Sequence, residues 1–355
     1  MNFKGKAIPT NPVKKDLSVV GLVDNHFNAY NAARLSEICR LMAEKMIKDD
    51  VTVGMTLTGA LTPAGLGSIA MVPLIENGFV DYIISTGANL YHDMHFGLGY
   101  KLYQSSPFVD DQELQKEKLV RIYDILMGDD VLENTNQYIR KLVCLPEFQK
   151  KMPSSELHYL LGKHMAKTEE ASGESSATML ATAYKHGIPI YTPSPCDSAI
   201  GLDIAEKKFN GIKTDYDVMR DVSEVTAIAL MAKRTFKSGV FIIGGGSPKN
   251  FIMQTIPQLN DLLNEHVEGH DYFIQITDAR ADTGGLSGAT PSEAVSWGKV
   301  NPRMLPHSIV AYTDATIALP IITSYLLSKC APRKSKRLYD QRDKLLDNLK
   351  KSLRK

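Results

Sequence analysis

The fold is decided by residues 275–300, QITDARADTGGLSGATPSEAVSWGKV. The stretch continues an apolar run, Tyr272-Phe273-Ile274, that reads as a strand, then opens into a loop holding Gly284, Gly285 and Gly288. Glycine lets a backbone approach a ligand closely, at an entropic cost that a plain linker need not bear. Thr290 is a candidate N-cap and Pro291 suits the first turn, so a short helix follows the loop. On that helix Glu293 shares a face with Trp297 and with Ser296. Lys299 reaches the same cavity only if the helix ends or bends near Gly298. A lysine beside the only tryptophan of the chain has two readings. Either the indole packs in the core and the lysine snorkels to water, or the amine stands in an apolar, tryptophan-walled pocket. Desolvation there lowers its pKa, and the neutral amine can attack an imine or a carbonyl.

Outward from this stretch, apolar runs alternate with glycine-rich or polar loops and helical segments. Strands are expected at Val51–Leu57, Val80–Thr86, Ile188–Thr192, Gly239–Ile243, Tyr272–Thr277 and Ser308–Tyr312. Helices are expected at His26–Lys48, Ala64–Asn77, Ser175–His186, Tyr216–Arg234, from Asn250 to Thr255, and at Ala315–Lys329. The alternation is that of a parallel sheet covered by helices, and ligands in such sheets bind at the carboxyl ends of the strands. The expected fold is therefore α/β and Rossmann-like, mostly parallel, with helices on both faces. Residues 1–50 form an N-terminal arm and helix, 51–330 the catalytic unit, and 331–355 a basic C-terminal helix. Phe96–Lys150 reads as an irregular helical insertion. In the tail, Leu338, Leu345, Leu349 and Leu353 fall on one stripe. A surface helix docked by that stripe is the favoured reading, and a basic helix facing RNA or an acidic partner the alternative.

The chain has 355 residues, 43% hydrophobic and 23% charged, with a net charge of +1. Such a chain can bury a large core, and it offers no overall field for nucleic acid or a membrane surface. The four cysteines lack metal or redox spacing. No signal peptide or run of 18 apolar residues is present, so a cytoplasmic protein is expected.

Several strand ends carry candidate chemistry. Gly244-Gly245-Gly246 follows the strand at Gly239–Ile243, where backbone N–H groups could face a phosphate, although a tight turn needs such glycines too. Thr86-Gly87-Ala88 is a second strand-end loop. Asp197 and Asp314 also follow strands, where an acid accepts from ribose hydroxyls or caps the next helix. His92 and His95 bracket Asp93 without a third metal ligand, so no metal site is expected.

SEAVSWGKV after a glycine-rich acidic loop resembles the active-site segment of the deoxyhypusine synthase family. The resemblance extends in order through TGANLYHD at Thr86–Asp93, PSPCDSAIG at Pro193–Gly201, IIGGGSPKN at Ile242–Asn250 and YTDAT at Tyr312–Thr316. It implies an aminobutyl transferase that uses NAD, contacted by Thr86, Gly87, Ala88, Asp197, Gly244, Gly245, Gly246, Asp278, Ala279, Asp314 and Ala315. It implies Lys299 as the catalytic residue, with Glu293, Trp297, Gly284 and Asn250 binding substrate. In the implied reaction NAD takes a hydride from a polyamine such as spermidine, Lys299 carries the aminobutyl group as an imine, and an acceptor amine receives it. The acceptor is a lysine of the hypusine-bearing translation factor or, as in homospermidine synthesis, a small diamine. A non-catalytic NAD-binding scaffold is the remaining alternative, and a homotetramer with sites between subunits is implied.

The sequence departs from the family pattern at the polyamine end. Leu286 and Leu202 stand where carboxylates are usual, and Asn250 replaces a histidine; the acid at Asp278 is not the family's usual residue either. Either the substrate differs there, or Asp203, Asp282 or Glu293 takes over.

Overall fold

The computed structural model describes residues 5–173 and 177–353. Six parallel strands form the main sheet: β1 Val51–Leu57, β2 Tyr82–Ser85, β3 Ile190–Tyr191, β4 Lys237–Ile243, β5 Tyr272–Thr277 and β6 Ser308–Tyr312. Their order is β6-β5-β4-β1-β2-β3. The long central strands are apolar almost throughout because both faces are covered, and their side chains divide by the two-residue period of a strand. Val53, Met55, Leu57, Phe241, Ile243, Ile274 and Ile276 join one core. Ile84, Tyr191, Val240, Ile242 and Phe273 join the other. Helices Tyr30–Leu41, Ser154–Ser172, Met179–His186 and Ala315–Lys329 cover the first face, and Val218–Thr235, Gly246–Met253 and Arg342–Ser352 the second. Each fully buried large side chain contributes about 1.5–3 kcal/mol.

Since all six strands are parallel, their carboxyl ends lie along one edge. The chain turns outward in opposite directions from β1 and β4, so the topological switch point falls between Thr58 and Gly244.

Three expectations need correction. The segment His26–Lys48 is not one helix. A helix at Val19–His26 ends before a break at Phe27–Ala29, and a second runs Tyr30–Leu41 into a π-turn at Met42–Met46. At the break the Asn25 and Asn28 amides donate to the carbonyls of Gly21 and Asn25, offering the backbone a competing partner. The segment Phe96–Lys150 is not purely helical either. It holds a three-stranded antiparallel sheet of Tyr103–Gln104, Ile125–Gly128 and Leu119–Ile122. A two-residue turn at Tyr123-Asp124, with Tyr123 at φ 56°, closes the hairpin. Finally, the helix before β4 begins at Val218 rather than Tyr216, which lies in a short strand. The expected helix start at Ser175 lies outside the described residues.

The tail is docked. Leu338, Leu345, Leu346 and Leu349 are buried, chiefly against Val218–Thr235, while Leu353 stays exposed. Tyr339 stacks on Tyr159 at 3.5 Å between centroids, with the Arg342 guanidinium 3.7 Å over its ring. Arg333 reaches Asp81 at 2.7 Å and donates to the carbonyls of Lys48, Val51 and Gly78. Asp81 is buried, and this cation supplies most of its compensation. Removing one partner of a buried pair strands the other charge, so Arg333→Met is expected to destabilise the fold by about 3–5 kcal/mol. Lys350→Ala, an exposed pair on the last helix, should change stability by less than about 0.5 kcal/mol. Urea midpoints at unchanged slope check both, and equal midpoints for the two variants would refute the clasp.

Candidate active site

At the switch point the backbone is closed on itself. Thr58 Oγ1 donates to Gly245 O at 2.6 Å and accepts from Gly245 N at 3.2 Å. Gly244 N donates to Ile276 O at 2.8 Å, and Gly246 N to Ser287 Oγ at 2.9 Å. All three amides of the triplet are therefore committed within the protein, and the expected phosphate-facing N–H groups are not found there. The glycines serve conformation and contact instead. Gly244 and Gly246 sit at φ 76° and 54°, and a Cβ on Gly245 would strike the Cα of Ser287. The helix starts at Gly246, four residues earlier than expected, because the triplet is itself its entry.

The second strand-end loop has what the triplet lacks. Thr86 caps the helix Gly87–Gly97, with Oγ1 donating to Gly59 O at 2.6 Å and accepting from Asn89 Nδ2 at 3.0 Å. Among the described residues the Gly87 and Ala88 amides have no protein acceptor, and this is the free positive end of an 11-residue helix. Asp197 and Asp278 are exposed, with no protein partner for their carboxylates among the described residues. Ala279 N donates to Thr277 Oγ1 at 3.1 Å. Asp314 caps the helix that begins at Ala315, one oxygen accepting from Thr316 N at 2.6 Å and from Ile317 N at 3.3 Å. These residues would fit a dinucleotide: two unpaired acids able to accept from ribose hydroxyls and one free helix start share the carboxyl edge.

The lysine pocket is built beside the triplet, on helix Gly246–Met253. A cavity of 340 Å³ is lined by Lys249, Asn250, Met253, Phe273, Leu286, Glu293, Trp297 and Lys299, among others. Helix Pro291–Ser296 opens with a capping box: Thr290 Oγ1 accepts from Glu293 N, and Glu293 Oε2 accepts from Thr290 N at 2.9 Å. Those bonds hold the Glu293 carboxyl below the usual range. The helix stops at Ser296, Trp297 follows, and Gly298 takes φ 66°, a value only glycine adopts freely. This reversal brings the Lys299 backbone back to Ala294. That backbone is then pinned on both sides, with N donating to Ala294 O at 2.8 Å and O accepting from His270 N at 2.9 Å. The Lys299 amine lies 3.5 Å from Asn250 Oδ1 and 5.5 Å from the Trp297 ring centroid. Burial lowers its pKa. Trp297 is 69% exposed, so it walls one side of the cavity only. Gly284, at φ 76°, shapes the loop without lining the cavity.

Of the three suggested compensating acids, two are engaged elsewhere and one lines the cavity. Asp203 is buried against Arg140 at 2.7 Å, while Leu202 on the same helix is 67% exposed. Asp282 is tied to Arg280. Glu293 is the one carboxylate lining the cavity among the described residues. His92 is half-buried and pairs with the buried His95, which is bonded to Thr135, and desolvation lowers them to about 4 and about 3. No metal-holding cluster occurs among the described residues.

Sequence reading missed Lys249. Its signal was its place beside Pro248, Ile252 and Met253, which are buried with it in helix Gly246–Met253.

The sequence model of the deoxyhypusine synthase family matches residues 23–326. A deoxyhypusine synthase-like protein from Nostoc punctiforme is 54% identical over 98% of this chain and 89% of its own length. One from a Cyanothece species is 53% identical over 98% of this chain and 88% of its own. Among solved structures, a candidate deoxyhypusine synthase from Entamoeba histolytica superposes with a TM-score of 0.62 at 16% identity, covering 91% of this chain and 97% of that one. That last likeness shows the fold.

Gly245→Ala tests the Ser287 contact. The added methyl should displace loop 286–288, which borders the switch point and the cavity alike, and destabilise the fold by about 1–3 kcal/mol. The urea midpoint at unchanged slope checks this, and a wild-type midpoint would show that the loop yields to the methyl without cost.

Proposed function

Because this chain belongs to the deoxyhypusine synthase family, we propose that it is an NAD-dependent aminoalkyl transferase whose carrier is Lys299. The observation that carries this reading is the Lys299 amine, its backbone pinned on both sides, half-buried between Asn250 and Trp297 and facing a cavity of ligand size. Family membership supports the transfer of an aminobutyl group; the cofactor, donor and acceptor are our reading.

When bound, NAD supplies a hydride acceptor for the carbon beside the donor amine and later returns the hydride. Thr86, Gly87, Ala88, Asp197, Asp278, Ala279, Asp314 and Ala315 would hold it at the carboxyl edge, with Gly244, Gly245 and Gly246 giving the backbone room. The chain's own part is nucleophilic. Burial keeps a larger fraction of Lys299 neutral, so its lone pair adds to an electrophilic imine carbon and expels the donor's remaining amine. Asn250 Oδ1 takes one N–H of Lys299 and thereby orients that lone pair. Trp297, Met253 and Phe273 shield the aliphatic chain from water, and Glu293, kept anionic by its capping bonds, receives a substrate ammonium. An acceptor amine then displaces Lys299.

The acceptor we favour is a lysine of the hypusine-bearing translation factor. A small diamine, as in homospermidine synthesis, is the second reading. It is favoured by one feature: Leu286, 50% exposed, faces the cavity where a second carboxylate is usual. The exposed Trp297, Leu286 and Leu202 suit a homotetramer whose subunits close each other's sites. The described helices include none long and apolar enough to cross a membrane, in keeping with a cytoplasmic enzyme.

Mass spectrometry of products from the protein, NAD, spermidine and candidate acceptors tests the activity. Lys299→Arg should lower turnover by about 1000-fold or more while NAD affinity stays within about threefold, because a guanidinium remains protonated and cannot attack. Near wild-type turnover would remove Lys299 from the role. Leu286→Asp should tighten spermidine binding about tenfold or more, since a charge-assisted hydrogen bond contributes about 1.5–3 kcal/mol. It should also slow turnover of a natural substrate that is less charged at that end. An unchanged KM for spermidine, with spermidine already the preferred donor, would return the reading to an ordinary polyamine site.

A further inference from the structure

Two hollows meet on helix Gly246–Met253. The larger is the cavity that holds Lys299, Trp297 and Glu293. The smaller, of 150 Å³, lies against helix Val218–Thr235, and its lining includes Val222, Thr226, Ser247, Phe251 and Gln258. Asn250 and Gln254 line both hollows. Gln254 follows Asn250 by four residues at the helix end, so the two side chains share a face and form a partition.

The amides of that partition are used differently. Asn250 Oδ1 accepts from the Lys299 amine at 3.5 Å. Asn250 Nδ2 and the whole Gln254 side-chain amide have no protein partner among the described residues. At the far wall the Thr226 hydroxyl donates to Gln258 Oε1 at 2.7 Å. Gln254 therefore offers the one side-chain carbonyl of this lining that has no donor among the described residues. The smaller hollow has no charged side chain in its lining, and its rim is open at the exposed Ser247 and Gln254.

Transfer from Lys299 needs a second amine at the same carbon. The lone pair of that amine forms the new C–N bond at the imine carbon, the bond to Lys299 Nζ breaks, and the proton of the incoming nitrogen leaves with Lys299. The attacking form is neutral, and a lining without carboxylates favours it over an ammonium. A second ammonium on the same chain would sit in the hollow without an acid partner, which is costly.

We infer that the hollow beyond Asn250 and Gln254 is the acceptor subsite, that it takes a primary amine on an otherwise uncharged aliphatic chain, and that the Gln254 carbonyl receives an N–H of that amine. The inference rests on Lys299 being the carrier. The donor stays in the larger cavity with Glu293, and the acceptor enters from the other side of the partition. A chain ending in a single amine, as a protein lysine presents, suits this hollow better than a small diamine.

The probes are propylamine and ethylenediamine, which are alike in shape and differ by one charge. The protein is first mixed with NAD and spermidine alone, and borohydride traps the group on Lys299; this half-reaction involves no acceptor. Propylamine is then supplied without borohydride, and N-propylputrescine is followed by mass spectrometry. Val222 lines the smaller hollow only, so Val222→Trp fills it from the wall opposite the partition. Gln254→Leu removes an exposed amide and leaves the core untouched. In both variants adduct formation on Lys299 should stay within about twofold of wild type. The kcat/KM for propylamine should fall about tenfold or more in Val222→Trp and about fivefold in Gln254→Leu, the loss of one neutral hydrogen bond. Wild type should use propylamine about tenfold better than ethylenediamine, compared per neutral amine. Wild-type propylamine kinetics in Gln254→Leu, a parallel fall of adduct and product, equal use of the two amines, or no N-propylputrescine at all each overturn the inference, while the Lys299 adduct still supports the carrier. A wild type that forms no adduct on Lys299 sinks both readings.

Discussion

The site depends on a buried polar contact between a strand and a loop. Gln275 on β5 offers its amide to Gly244 O and Ser287 O and its carbonyl to Lys249, so three elements far apart in sequence share one set of hydrogen bonds. In a low-dielectric interior such a network is strong when complete and costly when one member is missing. It fixes the loop at 286–289 against Gly245, and the loop in turn sets where helix Pro291–Ser296 begins. The capping box and the reversal at Gly298 then place Lys299. The strand-end loops and Lys299 are thereby held in one frame, as the proposed transfer demands.

Charge within that frame shapes what the pocket can accept. Glu293 is the carboxylate lining the cavity, and the acids nearest in sequence to the missing ones are engaged elsewhere, Asp203 with Arg140 and Asp282 with Arg280. Leu286 and Trp297 present apolar surface to solvent in the single chain. A donor with fewer charges, or a neighbouring subunit that brings them, would satisfy the arrangement.

Much of the fold was legible because the strands are buried on both faces. Val240–Ile243 and Tyr272–Ile274 read as apolar runs and are buried, and Ala315–Lys329 carries its cap in Asp314. The need for a bend at Gly298 was legible too, since helical spacing alone could not bring Lys299 to Glu293. What escaped was set by tertiary partners. The triplet looks like an anion loop until Ile276, Thr58 and Ser287 are seen to occupy its amides. Lys249 looks like a surface residue until three oxygens surround it. The hairpin at Leu119–Gly128 was hidden by its charges, and the break at Phe27–Ala29 by side-chain amides whose local hydrogen bonds outweigh helix periodicity.

The central claim is that Lys299 becomes covalently linked to the transferred group. Borohydride added during turnover with NAD and spermidine reduces any imine to a stable secondary amine, which tryptic mass spectrometry locates. The account predicts an added aminoalkyl mass on the peptide containing Trp297 and Lys299, absent when NAD is omitted and absent in Lys299→Arg. Product formation with no adduct at Lys299, or an adduct on another lysine such as Lys249, would contradict it.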